Sequence, residues 1–145
     1  MTTWLIDTGP LVAYLDARDR AHDEVSACLD GFSGQLATSS AVVTEAMHFV
    51  SAVPTGPRML ADFLHATATV VYDLSTAPEL DDVVALMERY HDTPMDYADG
   101  TLVRLAEALD VLDVLTLDRR GFATYRAKRN RRLRLVLDGT PSRRR

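Results

Sequence analysis

The sequence predicts an α/β domain, a mainly parallel sheet of four to five strands covered by helices on both sides. Three observations lead to it. Short apolar segments alternate along the chain with longer stretches of helical spacing, the order expected of β-α-β units. The breaks between them fall at Gly, Pro, Ser, Thr and Asp, with no internal repeat and no low-complexity run before an arginine-rich end. At 145 residues, 47% of them hydrophobic, the chain has the length of one domain and enough apolar side chains for a core.

Each element has a local reason. "TWLID", residues 3–7, is a short, largely apolar strand; Thr8, Gly9 and Pro10 interrupt it, and "LVAYLDA" continues with helical spacing. Pro10 suits a first helical turn, where its missing N–H goes unused. "DEVSACLDGF" is a second helix ending near Gly31 and Gly34, "QLATS" a second strand, and Ser39 or Ser40 can cap the helix "AVVTEAMHFVSAV". Pro54, Gly56 and Pro57 stop that helix, and "RMLADFLHAT" starts another. "TVVYDL" is the third strand. Thr76 and Pro78 then open "ELDDVVALMERYH", and Asp92 to Pro94 separate it from the helix begun by "MDYADGTLVRLAEAL". "DVLTLD", residues 113–118, is the fourth strand, "GFATYR" a short helix and "LRLVL" a candidate fifth strand. The domain is drawn over residues 1–138, with 139–145 as a basic tail.

Composition narrows the function classes. No apolar run approaches the roughly 20 residues that span a bilayer, and the N-terminus lacks the order of a secretory signal, so a cytoplasmic, membrane-free protein is expected. Cys28 is the single cysteine, and His22, His48, His65 and His91 lie far apart, which argues against a sulfur–nitrogen zinc site. The net charge of −5 conceals a division. Residues 1–118 hold 20 of the 21 acids and 5 of the 16 basic residues; residues 119–145 hold the other 11 basic residues and Asp138. Such asymmetry points either to nucleic-acid contact or to a basic end that complements the domain's own acidic face.

In open parallel sheets ligands sit beyond the carboxyl ends of the strands. Asp7 closes the first strand and Asp118 the fourth, so both belong to that rim, although Asp is also common at turns. Asp96 and Asp99 lie one turn apart along one flank of their helix; Asp96 after Pro94 is placed to be its N-cap, whereas Asp99 lies too far in. Glu45 adjoins the apolar side of its helix beside Phe49 and is the only acid between Asp30 and Asp62. Two carboxylates about 4 Å apart repel by about 4 kcal/mol at an effective dielectric near 20, so several at one rim protonate or push the fold apart unless a cation joins them. With oxygen ligands only, Mg²⁺ or Mn²⁺ fits best, and the chemistry it suits is phosphodiester hydrolysis. Trp4, Tyr14, Phe49, Phe63 and Phe122 read as core or edge packing, and Met47, Met59 and Met87 as core.

The ordered set "LIDTGPLVAYLD", "TEAMHFV", "MDYADGTLVRLAEAL" and "VLTLDRRGF" resembles the PIN-domain ribonucleases, especially the VapC-type toxins of bacterial toxin–antitoxin pairs, over nearly the whole chain. The resemblance implies a three-layer α/β/α fold, Mg²⁺ or Mn²⁺ dependence, endonucleolytic cleavage of an RNA substrate, a homodimer and a cognate antitoxin. By position, Asp7, Glu45, Asp99 and Asp118 match the family's acidic metal-site residues, Asp96 matches an additional acid often found one turn earlier, and Thr8 and Thr116 fall at hydroxyl positions that line such sites. Two features depart from the pattern: Gly100 stands where Ala is usual, and the basic end is heavy.

The mechanism expected from both readings has Asp7, Asp99 and Asp118 holding the metal, directly or through waters, and Glu45 acting on the attacking water. Arg119, Arg120 and the arginines from Arg126 onward steer the phosphate backbone. Leu11, Leu15 and Val25 are candidates for a groove that receives the antitoxin, a groove the sequence does not tell from core. A non-catalytic RNA-binding PIN-like module, or a metal-dependent phosphatase of another α/β family, would be the alternatives. The first would hold RNA without cutting it; the second would need a second acid two residues after Asp7, where Gly9 stands.

Overall fold

A computed structural model describes residues 1–139; apart from Gly139, the basic tail assigned to 139–145 lies outside the described residues. The chain runs β1 (Thr3–Ile6), α1 (Thr8–Leu15), α2 (His22–Asp30), β2 (Gln35–Ser39), α3 (Ser40–Val50), α4 (Gly56–Ala66) and β3 (Val70–Tyr72). It continues with α5 (Glu79–Arg89), α6 (Tyr97–Leu109), β4 (Asp113–Leu115), α7 (Arg119–Thr124), β5 (Arg126–Ala127), β6 (Arg131–Arg132) and β7 (Arg134–Leu135). Five strands form one sheet in the order β3-β2-β1-β4-β7, every neighbouring pair parallel, while β5 and β6 make a small antiparallel ribbon that the sequence reading did not anticipate. The sheet lies between helical layers, a three-layer α/β/α arrangement in which α1 packs on α2, α3 and α4, and α5 on α6.

Strand and helix boundaries follow local chemistry. β1 ends before Asp7 because Asp7 turns to cap α1, and β4 ends at Leu115, three residues short of the expected Asp118, which instead caps α7. Pro10 lies within the first turn of α1, so the helix begins at Thr8, ahead of the apparent break. Ser39 caps α3 through a hydrogen bond its hydroxyl accepts from the Val42 N–H at 3.2 Å. Thr38 and Ser39, fully buried at the end of β2, are satisfied by donation to the Ile6 carbonyl (2.7 Å) and by pairing with the Thr101 hydroxyl (2.7 Å); the second bond ties α6 to the sheet rim. Gly100 now has a reason: a Cβ there would approach Val83 Cγ1 at 3.0 Å, so its absence lets α5 and α6 pack closely.

Several expectations about apolar residues change. Leu11 and Val25 are fully buried and Leu15 nearly so, so these three belong to the core and form no antitoxin groove. α1 packs against α2, α3 and α4, and Pro10, Leu11, Ala13 and Leu15 are all buried, which leaves no open apolar stripe. Phe49 departs in the other direction: it is 52% exposed, while Val42, Ala46 and Val50 supply the buried face of α3. Trp4 stacks on Phe32 at 3.7 Å, Tyr14 meets Phe63 and Phe122 is buried, in keeping with packing roles. Met47, Met59 and Met87 are partly buried against the core. No helix among the described residues is long and apolar enough to cross a membrane.

Much of the basic end is committed to the domain itself. Arg131 pairs with Asp110 at 2.6 Å, Arg134 with Asp113 at 2.8 Å, and Arg119 bridges Glu24 and Asp138, each at 2.8 Å. Arg126 donates to the carbonyls of Ala123, Thr124 and Tyr125. Among the described residues, Arg120, Lys128, Arg129 and Arg132 make no ion pair. The charge division is thus in part internal complementarity, each exposed pair contributing little by itself.

Candidate active site

Three of the helices that begin at the carboxyl edge of the sheet begin with an aspartate. Asp7 caps α1, its Oδ1 accepting from the Thr8 N–H at 2.8 Å. Asp118 caps α7, its Oδ1 accepting from the Gly121 N–H at 3.1 Å. Asp96 caps α6 in a reciprocal box: the Asp99 N–H donates to Asp96 Oδ1 at 2.8 Å, and the Asp96 N–H donates to Asp99 Oδ2 at 3.2 Å. Capping and clustering are therefore compatible roles for the same residues. A cap uses one carboxylate oxygen and leaves the other, and the positive helix ends offset part of the repulsion among the acids, by about 0.3–1 kcal/mol each.

Asp7, Thr8, Glu45, Asp96, Asp99 and Asp118 line one cavity of about 500 Å³, so these six of the nine residues singled out in the sequence meet in space. Thr116 stands behind them. Its buried hydroxyl donates to Asp7 Oδ2 at 2.8 Å and accepts from the Asp118 N–H at 3.0 Å, a short chain that fixes two acids of the rim to each other. Arg119 and Arg120 follow Asp118 but are not part of the cavity wall, and the Arg119 guanidinium is held by Glu24 and Asp138.

The packing of acids moves their protonation. Burial, with further push from Glu45 and Asp96, raises Asp7 to about 6 despite the stabilising bonds from Thr116 and Thr8. Asp99 is pushed up to about 8 by burial and by the neighbouring charges of Asp96, Asp7 and Asp118. In both residues burial is the largest cause, and the neighbouring carboxylates add to it. Tyr125, fully buried, has its phenol pushed up by burial and by the same four aspartates, so it remains a hydrogen-bond donor; its hydroxyl donates to the Pro94 carbonyl at 2.9 Å and anchors the segment leading into Asp96.

The donor set fits a hard divalent cation. Every charged side chain on the cavity wall is a carboxylate, and the Thr8 hydroxyl oxygen on that wall is buried with no hydrogen-bond partner. Such an orphan hydroxyl is expected where a ligand or its water is bound. Among the described residues no three acidic, histidine or cysteine side chains form a ready-made cage around one point.

Sequence reasoning missed Asp19, which joins the cavity wall from the loop between α1 and α2, and Tyr125, which lies beneath the aspartates. Asp19 has no periodic or spacing signal, since a loop's return path is set by the helices it joins. Phe49 was noticed as a neighbour of Glu45 but assigned to the interior, whereas it forms part of this wall.

Comparison with known proteins agrees with this architecture. The sequence profile of the PIN domain matches residues 4–128. Over 124 residues, 84% of this chain and 91% of the relative, the sequence is 32% identical to Ribonuclease VapC26 of Mycobacterium tuberculosis. The fold is similar to the crystal structure of M. tuberculosis VapC20, a Sarcin-Ricin loop cleaving toxin, with a TM-score of 0.73 and 16% identity, covering 81% of this chain and 91% of that one. It is also similar to a chain of a toxin-antitoxin complex from Klebsiella pneumoniae, with a TM-score of 0.62 and 19% identity, covering 83% and 91%.

Proposed function

The chain belongs to the PIN-domain family, and from that premise we propose that it is a divalent-metal-dependent endoribonuclease, the toxin of a toxin–antitoxin pair. The observation that carries this reading is the meeting of Asp7, Glu45, Asp96, Asp99 and Asp118 in one cavity at the carboxyl edge of the sheet. Support for the substrate comes from the ribonuclease relative, and support for an antitoxin partner from the toxin–antitoxin assembly of similar fold. A homodimer belongs to the same reading.

Asp7, Asp99 and Asp118 would hold Mg²⁺ or Mn²⁺, directly or through waters, with Asp96 beside Asp99 as a further oxygen donor. When bound, such an ion would supply charge neutralisation at the phosphodiester and would lower the pKa of a water. In hydrolysis the water oxygen bonds to phosphorus and one P–O ester bond breaks, its leaving oxygen taking a proton from solvent water; Glu45, on α3 at the cavity wall, positions the attacking water and takes its proton. Thr116 keeps Asp7 in a fixed orientation, and the Thr8 hydroxyl offers a hydrogen bond to a water of the site. In the basic end Arg120, Lys128, Arg129 and Arg132, unpaired by acids among the described residues, are cations available to attract the RNA backbone, and binding weakens as salt is raised.

The test is incubation with total RNA in Mg²⁺ or Mn²⁺ and in chelator, with the new ends mapped. Discrete cuts in metal alone are expected; RNA held but left whole in both conditions would overturn the reading. A second expectation concerns Gly121, where a Cβ would press on the Asp118 carboxylate and lie 3.0 Å from the Tyr125 hydroxyl. Gly121→Ala should lower kcat/KM by about tenfold through misplacement of Asp118, with a thermal midpoint close to wild type. An unchanged cleavage rate in a folded variant would remove Asp118 from the machinery.

A further inference from the structure

Beside the acid cavity lies a second one of about 700 Å³, on the exposed flank of α3 and the start of α6. Its wall includes Ala41, His48, Phe49 and Tyr97, and it shares Glu45, Phe49 and Asp96 with the acid cavity, so the two are continuous. Phe49 stands at the junction. It is 52% exposed, the most exposed large hydrophobic side chain after Met1, with the His48 ring against its edge at 5.5 Å. Glu45 and Phe49 are spaced i, i+4, which places them one above the other on the same helix flank. A phosphate group close enough for Glu45 to act on its attacking water therefore has the Phe49 ring one helical turn away.

We propose that this groove seats a base of the RNA next to the cut, with Phe49 as the stacking surface. The inference rests on the ribonuclease reading above and specifies how its substrate is held. Every nucleobase offers a π-face, and an exposed aromatic ring contiguous with a phosphodiester site is the feature that single-stranded nucleic acid uses for stacking. Charge also selects the occupant. The charged groups on the groove wall are the carboxylates Glu45 and Asp96, with neither lysine nor arginine beside them. A base is the uncharged part of the polymer, and its amino groups can donate to those oxygens. A second copy laid on this face about a two-fold axis would instead bring like-charged rims together.

The experiment uses the full chain and a short oligoribonucleotide spanning the cut mapped in total RNA, intact or with an abasic residue at each nucleotide flanking the cut. Phe49→Ala is expected to lower kcat/KM on the intact oligonucleotide about tenfold or more, and Phe49→Tyr to retain activity. One abasic position should lower the wild-type rate similarly and leave Phe49→Ala no worse. Phe49 is half exposed, and a thermal melt checks that the variants fold. Equal rates for wild type and Phe49→Ala, or abasic losses that add fully to the variant's, would overturn the proposal. So would a dimer-to-monomer change in light scattering that accounts for the loss, which assigns the groove to a second copy. Normal cleavage with loss of a co-expressed partner protein would overturn it too and assign the groove to protein. Absence of any cleavage by wild type would mark failure of the ribonuclease reading itself, and the inference would fall with it.

Discussion

Asp7→Asn is expected to lower RNA cleavage by on the order of a thousandfold while making the metal-free protein more heat-resistant near pH 8. The two effects have one cause. Asp7 is 7% exposed, and its carboxylate is raised to about 6 by burial and by Glu45 and Asp96, so at pH 8 the ion-free fold carries an ionised group in an unfavourable place. Asn keeps an oxygen to accept the Thr8 N–H and presents no charge to the other acids. Its amide is a poor ligand for a hard cation, which removes the property that the site requires. Cleavage assayed in Mg²⁺ and thermal melts in chelator check both halves. Wild-type cleavage by the variant would exclude Asp7 from the mechanism, and a lower melting point in chelator would mean that its carboxylate stabilises the fold instead of straining it.

The second large effect is a pH dependence that reverses when metal is present. An unfolded chain has these carboxyls near 3.8, whereas the folded chain holds Asp7 at about 6 and Asp99 at about 8. Between those limits the folded state binds more protons, so the stability of the ion-free protein falls as pH rises from about 4 towards 8. For Asp7 alone the shift from 3.8 to about 6 corresponds to at most about 3 kcal/mol, or several degrees of thermal midpoint in a chain of this size. Melts in chelator at pH 5 and pH 8, below and above the raised Asp7 value, with Asp99 at about 8 only partly titrated at the upper one, should show the higher midpoint at pH 5. Added Mg²⁺ or Mn²⁺ should raise the midpoint far more at pH 8, where Asp7 is ionised and Asp99 has begun to ionise, than at pH 5, where both hold their protons. A flat profile in chelator, or equal gains from metal at both pH values, would contradict the proposed coupling of the cluster to a cation.

The acids at the sheet rim could be found in the sequence because each obeys a short-range rule. Asp7 and Asp118 follow apolar strand segments, and Asp96 and Asp99 have the spacing of a helix start; the structure adds that all four sit at helix caps or in a capping box. Glu45 could be found by its isolation among apolar neighbours. Asp19 could not, because it reaches the cavity through a loop whose path depends on how α1 and α2 pack. The arginines after Asp118 were equally ambiguous. Their charge was legible, but the partners of Arg119, Arg131 and Arg134 lie far along the chain in Glu24, Asp138, Asp110 and Asp113. The apolar residues failed in both directions, since helical spacing tells which side chains share a flank and not what covers that flank. Leu11, Leu15 and Val25 were covered; Phe49 was not.

By itself, then, the sequence determined the order of strands and helices, the parallel character of the sheet and the oxygen-rich chemistry of its rim, because turn formation, capping and side-chain periodicity act over a few residues. Only the tertiary structure decided that Asp7, Glu45, Asp99 and Asp118 share one cavity, that two of them are driven towards protonation, and that Phe49 faces solvent beside them. The reason is physical: burial and Coulomb energy depend on distances through space, and those are set when helices close on the sheet.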